Sequence, residues 1–346
     1  MIRARVIGAT GYAGAELVRI LAGHPNVEIA VLTSRQYAGT PFSAVYPALA
    51  GVVDQPCRAY DRDEVAGAAE VVFTALPHKL PMEIVPDLLD RGVRVVDLSA
   101  DFRFRNPAAY EAAYQPHAAR KLLDETVYGL TEVYRDAVRE ARLVGNPGCY
   151  PTSILLPLVP LIRAGLVIPD TLIADAKSGV SGAGRSPSVP ALFCEVTESF
   201  RPYKVSAHRH NPEMDEVLTA EAGGPPVHIT FVPHLVPMSR GMLSTIYATP
   251  APGVDAAAVG EILAAAYADA PFVQLLGPGA IPDTRHVRGT NRCEIGFHLD
   301  AAGKRLILMS AIDNLVKGAA GQAVQNMNVM LGLDETAGLD AVPYPL

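Results

Sequence analysis

The residue in this sequence best placed to act as a nucleophile is Cys149. It follows Pro147-Gly148, a pair typical of a turn, and precedes an apolar run at 153–156 that predicts the start of a helix. A turn aims a side chain, and a helix N-terminus stabilises negative charge, which favours the thiolate form of cysteine. Free cysteines are also commonly buried and inert. The peptide alone therefore leaves a catalytic thiol and a buried structural cysteine as alternatives.

A histidine and a carboxylate farther along the chain could activate such a thiol. Asn211 and Pro212 are typical of the N-cap and the first position of a helix, which places His210 at a fixed helix start. Glu213 is close enough in sequence to orient the His210 ring. A thiol, an imidazole and a carboxylate are the parts of a Cys–His catalytic system. We therefore predict Cys149, His210 and Glu213 as catalytic residues.

The segment that contains His210 is rich in basic residues, although the chain as a whole has a net negative charge. Lys204, His208 and Arg209 lie close together in sequence and are suited to holding an anionic substrate. His208 and His210 could alternatively form a metal pair, but the sequence offers no further ligand at a sensible spacing. We predict that His208 contacts an anionic substrate and that the protein uses no metal.

Two further segments are suited to an anion-handling site. Residues 97–103, which include Arg103, follow a predicted parallel strand at its carboxyl end, where ligands bind in open α/β sheets. Residues 178–185, which include Ser181 and Gly182, form a glycine-rich segment whose backbone N–H groups could approach a ligand. Ordinary surface loops are the alternative for both segments.

The N-terminal segment carries a dinucleotide-binding fingerprint. Its glycines lie at a predicted strand-to-helix turn, where the backbone can approach a pyrophosphate that rests on the helix N-terminus. At the end of the second strand an acidic residue would favour NAD and an arginine would favour NADP, and this sequence has Ser34-Arg35 and no acid. We therefore predict NADP; a merely tight turn and a solvent-facing Arg35 are the alternatives. The predicted cofactor-binding residues here are Gly8, Thr10, Gly11, Tyr12, Ala13, Gly14, Ser34 and Arg35.

Alternating strands and helices must position the N-terminal part of the site. The predicted strands at 5–7, 27–33, 71–75 and 93–98 alternate with predicted helices, including those at 15–22 and 81–91. This spacing is typical of βαβ units and predicts a Rossmann-type parallel sheet. After Cys149 the alternation stops, which indicates an α+β second domain. Its predicted elements are strands at 171–176, 227–232, 242–248 and 294–299 and a helix at 256–267, before a C-terminal helix at 314–331.

Length, charge and cysteine usage limit the class of protein. At 346 residues two domains are expected, and a net charge of −7 disfavours nucleic acid as a partner. The four cysteines lack the spacing of a disulfide scaffold or a metal finger, which favours a reducing cytosol. The chain begins in folded sequence without room for a signal peptide, and its most apolar run, 154–162, is too short to span a membrane. We expect a cytoplasmic protein that binds neither membranes nor nucleic acids.

Motifs along nearly the whole chain resemble the N-acetyl-γ-glutamyl-phosphate reductase family of arginine biosynthesis, in a group similar to aspartate-semialdehyde dehydrogenase. These motifs are Gly8–Leu17, Leu76–His78, Leu98–Arg103, Gly145–Thr152, His208–Glu213 and Lys317–Asn328. The resemblance implies an oxidoreductase with Cys149 as nucleophile and His210 as acid/base. It also implies NADPH-dependent reduction of a small anionic acyl phosphate to a semialdehyde, with release of phosphate through a Cys149 thioester.

The resemblance also implies a domain organisation. An NADP-binding Rossmann domain is expected at 1–148 and 314–346, with the C-terminal helix returning to it, and an α+β catalytic and oligomerisation domain at 149–313. We expect a homo-oligomer, either a homodimer or a homotetramer. In this arrangement Arg103 is the candidate for the leaving phosphate and His208 for the substrate carboxylate. The further candidates for cofactor contacts are Ser181 and Gly182 of the catalytic domain and Asn314 at the head of the returning helix, the last of them on the nicotinamide carboxamide.

Two other functions compete with this interpretation. A carrier-linked α-aminoadipyl-phosphate reductase of lysine biosynthesis shares the fold and the cysteine. That branch, however, carries Gly-Cys-Asn where this chain has Gly148-Cys149-Tyr150, and it departs from the loop at 181–185. A non-catalytic NADP-sensing regulator could open with the same three-glycine turn, and it would not depend on Cys149.

Overall fold

The computed structural model describes residues 1–67, 69–277 and 279–344, which form two compact units. The first unit contains Met1–Pro147 and Ala319–Ala341, and the second contains Gly148–Gly318 and residues 342–344. Each unit has its own β-sheet. Residues 345 and 346, which the expected Rossmann domain included, lie outside the described residues.

The first unit is built from alternating strands and helices. Its strands are β1 (Ile2–Ile7), β2 (Val27–Thr33), β3 (Val71–Thr74), β4 (Arg94–Asp97), β5 (Val127–Tyr128) and β6 (Leu143–Gly145). Its helices before Pro147 are α1 (Tyr12–Ala22), α2 (Phe42–Val45), α3 (Arg62–Ala66), α4 (Leu80–Asp90), α5 (Pro107–Ala113) and α6 (Thr131–Glu140). The strands pair in parallel in the order β2-β1-β3-β4-β6-β5, as the predicted βαβ units require.

The strand order locates the ligand edge of the first sheet. β3 has only buried residues, as expected for a central strand of a parallel sheet that is covered on both faces. Chain progression reverses between β1 and β3, since β2 lies on one side of this pair and β4 on the other. In open α/β sheets, ligands bind beyond the carboxyl ends of the strands at such a reversal. The turns after β1 and β3 therefore flank the expected cofactor crevice.

The second unit is a mixed α+β structure. Its helices are α7 (Cys149–Arg163), α8 (Phe193–Val196), α9 (Asn211–Ala222), α10 (Ala256–Ala266) and α11 (Thr284–Val287). Its strands are β7 (Ile173–Ser178), β8 (Arg201–Pro202), β9 (Thr230–Leu235), β10 (Met242–Ala248), β11 (Val273–Leu275), β12 (Cys293–Leu299) and β13 (Leu306–Ile312). The sheet order is β11-β12-β13-β10-β7-β9-β8, and only the β7–β9 and β11–β12 pairs are parallel. The predicted fold class, a Rossmann-type sheet followed by an α+β unit, is confirmed.

Helix α7 is the central helix of the second unit. Every residue from Tyr150 to Ile162 is buried, and the helix packs against β10, β13, α9 and α10. It continues through Pro157 and Pro160, although each proline removes a helical N–H donor and costs about 3 kcal/mol in an isolated helix. Burial on all sides offsets that cost and fixes the direction of α7. No helix in the described part of the chain, α7 included, is long and apolar enough to cross a membrane.

The chain after β13 differs in detail from the predicted helix at 314–331. Asn314 lies in a turn, a π-helix spans Val316–Ala320, and α12 follows at Gly321–Met330. The helix starts late because the buried carboxylate of Asp313 accepts the N–H groups of Leu315 and Val316 and holds the turn. Helix α12 packs against α1, α6 and β4 of the first unit.

Candidate active site

The N-terminus of α7 presents Cys149. The helix begins at Cys149 itself, with Gly148 as the N-cap residue, and no side chain occupies the cap. The Cys149 side chain is half-buried, whereas Cys57 and Cys293 are buried and Cys194 is exposed. The partial positive charge of the helix N-terminus lowers the free energy of a thiolate at this position. The structure therefore gives Cys149 the setting that its turn and the following apolar run predicted.

The imidazole of His210 lies directly against Gly148. A methyl group placed on Gly148 Cα would lie 2.6 Å from His210 Nε2 and 2.7 Å from Cε1. Both distances are far shorter than van der Waals contact, so only glycine at position 148 lets the ring approach the backbone next to Cys149. The second unit thus places the His210 imidazole against the residue that precedes Cys149.

Glu213 connects α9 to the turn before Cys149. Its carboxylate is buried, and Oε1 accepts the backbone N–H of Gly148 at 2.9 Å. From the sequence we expected Glu213 to orient the His210 ring. The hydrogen bond to Gly148 fixes the backbone on which that ring lies.

The start of α9 lies one residue away from the predicted position. His210 occupies the N-cap and Asn211 is the first helical residue, so the prediction of Asn211 as N-cap was wrong. The Asn211 amide donates to Asp215 Oδ1 and to the carbonyl of Ile229, each at 3.2 Å. Because these two acceptors hold the Asn211 amide against the side of the helix, the amide does not cap the helix, and His210 occupies the N-cap position.

The π-helix also contacts Cys149. A methyl group on Gly318 would lie 2.7 Å from Cβ of Cys149 and 3.2 Å from its Cα. π-helical turns are rare and often occur at functional sites. From the sequence, this segment contributed to the predicted helix at 314–331 and to the family resemblance. The contact of Gly318 with Cys149 was missed, because glycine has no side chain whose chemistry would point to a site.

His208 is enclosed by aromatic rings. Four rings have centroids 4.9–5.5 Å from that of His208 and belong to Tyr150, Tyr203, His210 and Phe231. Burial in this enclosure, with the positive charges of Lys204 and Arg209, lowers the pKa of His208 to about 4. The ring is therefore neutral near pH 7, and it can offer an anion a hydrogen bond but no charge. Within the described ranges, no three His, Cys, Asp or Glu side chains are grouped to hold a metal ion.

Two phenol groups lie close to Cys149. The hydroxyls of Tyr150 and Tyr203 are 3.1 Å apart. Burial, with a further contribution from negative charge on Cys149, raises the pKa of Tyr203 to about 12. Tyr203 begins the basic segment that contains His208 and His210, but sequence reasoning did not assign it to the site, because only tertiary packing brings it to Tyr150.

The expected cofactor residues of the second unit lie together. The buried amide of Asn314 accepts the N–H of Gly241 at 2.8 Å and donates to Ser181 Oγ at 2.9 Å. A methyl group on Gly182 would lie 3.8 Å from Asn314 Nδ2. Because a side-chain amide has two donor hydrogens and two acceptor lone pairs, one of each on Asn314 remains for a ligand.

The glycine turn of the first unit has two sterically required glycines and one that the fold does not require. Gly8 has φ +85°, and a methyl group on it would lie 2.4 Å from the carbonyl oxygen of Ala75. A methyl group on Gly14 would lie 2.3 Å from the carbonyl oxygen of Gly8, whereas one on Gly11 would meet nothing closer than 3.8 Å. Gly11 is the N-cap of α1 and provides no capping side chain. This open space beside first-turn N–H groups fits a bound pyrophosphate.

The end of β2 is tied to the glycine turn. Ser34 is buried, and its Oγ lies 2.7 Å from Thr10 Oγ1 and accepts the N–H of Tyr37 at 3.2 Å. Arg35, the next residue, is exposed. The hydroxyl of Ser34 is therefore used inside the protein, and Arg35 carries the positive charge at this strand end.

Arg103 is held by backbone carbonyls of the first unit. Its Nε donates to the carbonyl of Asn146 at 2.7 Å and its Nη2 to that of Leu98 at 2.8 Å. These acceptors follow β6 and β4, so the guanidinium lies beyond the carboxyl ends of two neighbouring strands. Close by in sequence, burial raises the pKa of Asp97 to about 6, against hydrogen bonds from Ser99 and Thr74 that lower it.

Known proteins share both units of the chain. Residues 3–141 match the family model of the semialdehyde dehydrogenase NAD binding domain, and residues 149–314 match that of the semialdehyde dehydrogenase dimerisation domain. An N-acetyl-gamma-glutamyl-phosphate reductase of Desulforapulum autotrophicum is 56% identical over 346 residues, which are 100% of each chain. The chain belongs to the N-acetyl-gamma-glutamyl-phosphate reductase family. Another reductase of this name, from Geobacter metallireducens, is 52% identical over 344 residues, which are 99% of each chain.

The fold of this N-acetyl-gamma-glutamyl-phosphate reductase family member extends to distant structures. Aspartate semialdehyde dehydrogenase II from Vibrio cholerae, complexed with ASA, superposes with a TM-score of 0.74 at 17% identity. The match covers 96% of this chain and 98% of the other. At that identity the likeness is one of fold alone. The family resemblance expected from the sequence is confirmed by the close relatives.

The candidate residues of this reductase family member are divided between the two units. The second unit brings together Cys149, His210 and Glu213 around Gly148, and Asn314 with Ser181 and Gly182. The first unit carries the glycine turn, Ser34, Arg35 and Arg103. Each set lies where the loops of its own sheet converge.

Proposed function

We propose that the protein catalyses the NADPH-dependent reduction of N-acetyl-γ-glutamyl phosphate to N-acetylglutamate 5-semialdehyde, with release of phosphate. The observation that carries this proposal is the placement of the His210 imidazole against Gly148, next to a half-buried Cys149 at the N-terminus of α7. Family membership supports the substrate, since the close relatives are named for this reaction.

The chemistry divides into acyl transfer and reduction. The Cys149 thiolate attacks the carbonyl carbon of the acyl phosphate, the bond from carbon to the phosphate oxygen breaks, and a thioester forms. NADPH, when bound, would supply hydride to the thioester carbon. His210 then donates its proton to the oxygen of the resulting thiohemiacetal anion. Loss of a proton from that hydroxyl and expulsion of the thiolate release the semialdehyde and regenerate Cys149.

Several residues prepare Cys149 and His210 for these steps. The α7 N-terminus and an imidazolium at His210 favour the thiolate. Glu213 fixes the Gly148 backbone. Arg103, with two of its donors already on carbonyls, is our candidate for the leaving phosphate. For the substrate carboxylate we keep His208 as a candidate, as a neutral donor rather than a cation.

We propose NADP rather than NAD as the cofactor. Gly8, Gly11 and Gly14 would hold its pyrophosphate against the first turn of α1, and Asn314 with Ser181 and Gly182 would bind the nicotinamide end. Arg35 would bind the 2′-phosphate at the end of β2. The proposed preference for NADP therefore depends on Arg35, because the Ser34 hydroxyl already forms a hydrogen bond with Thr10.

Replacing Arg35 with alanine should weaken NADPH binding about 10- to 100-fold, the loss of one charge-assisted contact of about 1.5–3 kcal/mol. NADH binding should change less than about twofold, because NADH has no 2′-phosphate. Titration of both nucleotides by fluorescence measures the two dissociation constants. Arg139→Ala is the matched control, since Arg139 is a half-exposed arginine of the first unit paired with Asp136. Equal losses for NADPH and NADH would contradict the assignment of Arg35.

We also propose a domain boundary, an assembly and a compartment. The catalytic domain would begin at Cys149 and end near Asn314, with the remainder forming the NADP domain. The match to a dimerisation domain over 149–314 supports a homo-oligomer, and we propose a homodimer or homotetramer. A biosynthetic enzyme that depends on a free thiolate would work in the reducing cytoplasm.

A comparative assay of the reverse reaction tests the proposed substrate. Purified protein with phosphate and NADP should form NADPH from N-acetylglutamate semialdehyde, and at least about 100-fold more slowly from a carrier-bound aminoadipate semialdehyde. Tyr150 fills the position after the nucleophile where the lysine-pathway branch carries asparagine. A preference for the carrier-bound substrate would overturn the assignment to arginine biosynthesis. Absence of turnover with both substrates would favour the NADP-sensing alternative.

A further inference from the structure

A chain of hydrogen bonds connects Tyr203 to the backbone of His210. The Tyr203 hydroxyl lies 3.5 Å from Nε2 of His208, and Nδ1 of the same ring accepts the N–H of His210 at 3.1 Å. Because a backbone N–H can only donate, Nδ1 carries no proton, and the neutral ring carries its hydrogen on Nε2. The oxygen of Tyr203 accepts that hydrogen.

The chain continues beyond Tyr203 to Tyr150. The two hydroxyls lie 3.1 Å apart, where either oxygen can be the donor. The Tyr150 hydroxyl also donates to the carbonyl of His234 at 3.5 Å. Burial keeps both phenols protonated, because it raises the pKa of Tyr150 and of Tyr203 above the usual value.

The alternative tautomer of His208 would break this arrangement. With its hydrogen on Nδ1, the His208 ring would oppose the N–H of His210, so that two donors would face each other. Protonation of both nitrogens would have the same effect, and the low pKa of His208 in its aromatic enclosure disfavours it. Tyr203 favours the required tautomer by accepting at Nε2.

We propose that Tyr203 is a positioning residue for His210. By accepting the Nε2 hydrogen of His208, it holds the tautomer whose Nδ1 anchors the His210 backbone, and so keeps the His210 ring against Gly148 beside Cys149. The inference rests on the proposed pairing of Cys149 with His210. It gives His208 a function inside the protein that competes with the proposed contact to the substrate carboxylate, because the neutral ring has a single hydrogen to donate.

The pKa of the Cys149 thiol depends on the position of His210 and can therefore be used to detect its displacement. The titratable groups near the thiol are His210, Glu213, Tyr150 and Tyr203, and Lys204 and Arg209 act on His208. Of these four groups near the thiol, His210 is the one that can carry a positive charge, because the phenols are neutral and Glu213 is an acid. Displacement of His210 should therefore raise the pKa of the thiol.

Alkylation by iodoacetamide as a function of pH, resolved by peptide mass spectrometry, measures this pKa without requiring turnover. In the wild-type protein Cys149 should react with a midpoint at least about one pH unit below that of exposed Cys194. In Tyr203→Phe the Cys149 midpoint should rise by about one unit and kcat should fall about tenfold, with KM within about twofold. The midpoint of Cys194 serves as an internal reference and should not move.

Two further sets of variants distinguish a positioning role of Tyr203 from a general loss of structure. Tyr267→Phe is the matched control, since the Tyr267 hydroxyl also makes a buried hydrogen bond, to the carbonyl of Leu156 in α7. It should leave the Cys149 midpoint unchanged. His208→Asn supplies an oxygen in place of Nδ1 and should keep the midpoint closer to wild type than His208→Leu, which supplies no acceptor.

The outcomes distinguish this inference from the proposed function. A wild-type Cys149 midpoint equal to that of Cys194 would overturn the thiolate–imidazolium pair, and with it the role of Tyr203. A lowered wild-type midpoint that neither Tyr203→Phe nor His208→Leu raises would overturn the role of Tyr203 alone. A rise in Tyr267→Phe as large as in Tyr203→Phe would reduce Tyr203 to a structural residue.

Discussion

Replacing Cys149 with serine is expected to lower kcat by about 10⁴-fold or more, because a serine hydroxyl at neutral pH has almost no anionic form to attack the acyl phosphate. NADPH binding should remain within about twofold of wild type, since the glycine turn and Arg35 belong to the first unit. Steady-state assays and fluorescence titration of NADPH measure the two quantities.

Cys194→Ser is the matched control for this substitution, since Cys194 is an exposed cysteine of the same unit. It should retain wild-type turnover. Reductase activity that survives in Cys149→Ser would remove the thioester from the mechanism. Loss of NADPH binding in the same variant would point to misfolding, which a thermal unfolding scan of both variants would detect.

Replacing Gly148 with alanine is expected to lower kcat about 100-fold, because the new methyl group would lie 2.6 Å from His210 Nε2 and must displace the ring. The backbone of Gly148 has φ −67°, which alanine adopts without strain, so the effect is one of contact alone. Steady-state kinetics over pH 5 to 9 should show the loss mainly in kcat.

Gly277→Ala is the control for that substitution. Gly277 lies in the same unit, and a methyl group on it would meet nothing within 4 Å. The two variants change the same number of atoms, so a comparable loss in both would contradict the close approach of His210. A loss confined to Gly148→Ala, with unchanged NADPH binding, would support it.

Periodic and local signals in the sequence predicted much of the fold. The βαβ alternation predicted the parallel sheet, and β2 and β10 begin and end at the predicted residues. Such signals are reliable because strand and helix periods depend on which residues the chain must bury. The start of α9 was misplaced by one residue, because Asn211 found acceptors in Asp215 and Ile229 that lie farther along the chain.

Candidate site residues could be selected from the sequence where the chemistry depends on the residue's own side chain. A thiol, an imidazole or a glycine turn has a function that follows from its own atoms, so Cys149, His210 and Gly8 could be selected without a structure. Tyr203 and Gly318 could not. Their proposed importance depends on what lies beside them, the His208 ring for Tyr203 and Cys149 for Gly318.

The sequence by itself determined the fold class and the family of this protein and selected Cys149 as the candidate nucleophile, since each depends on local patterns and on residue types in order. Only the tertiary structure decided that Gly148 must lack a side chain and that Glu213 binds the Gly148 N–H. It also decided that His208 is neutral. The physical reason is that steric contact and pKa depend on distances between segments far apart in the chain, and packing sets those distances.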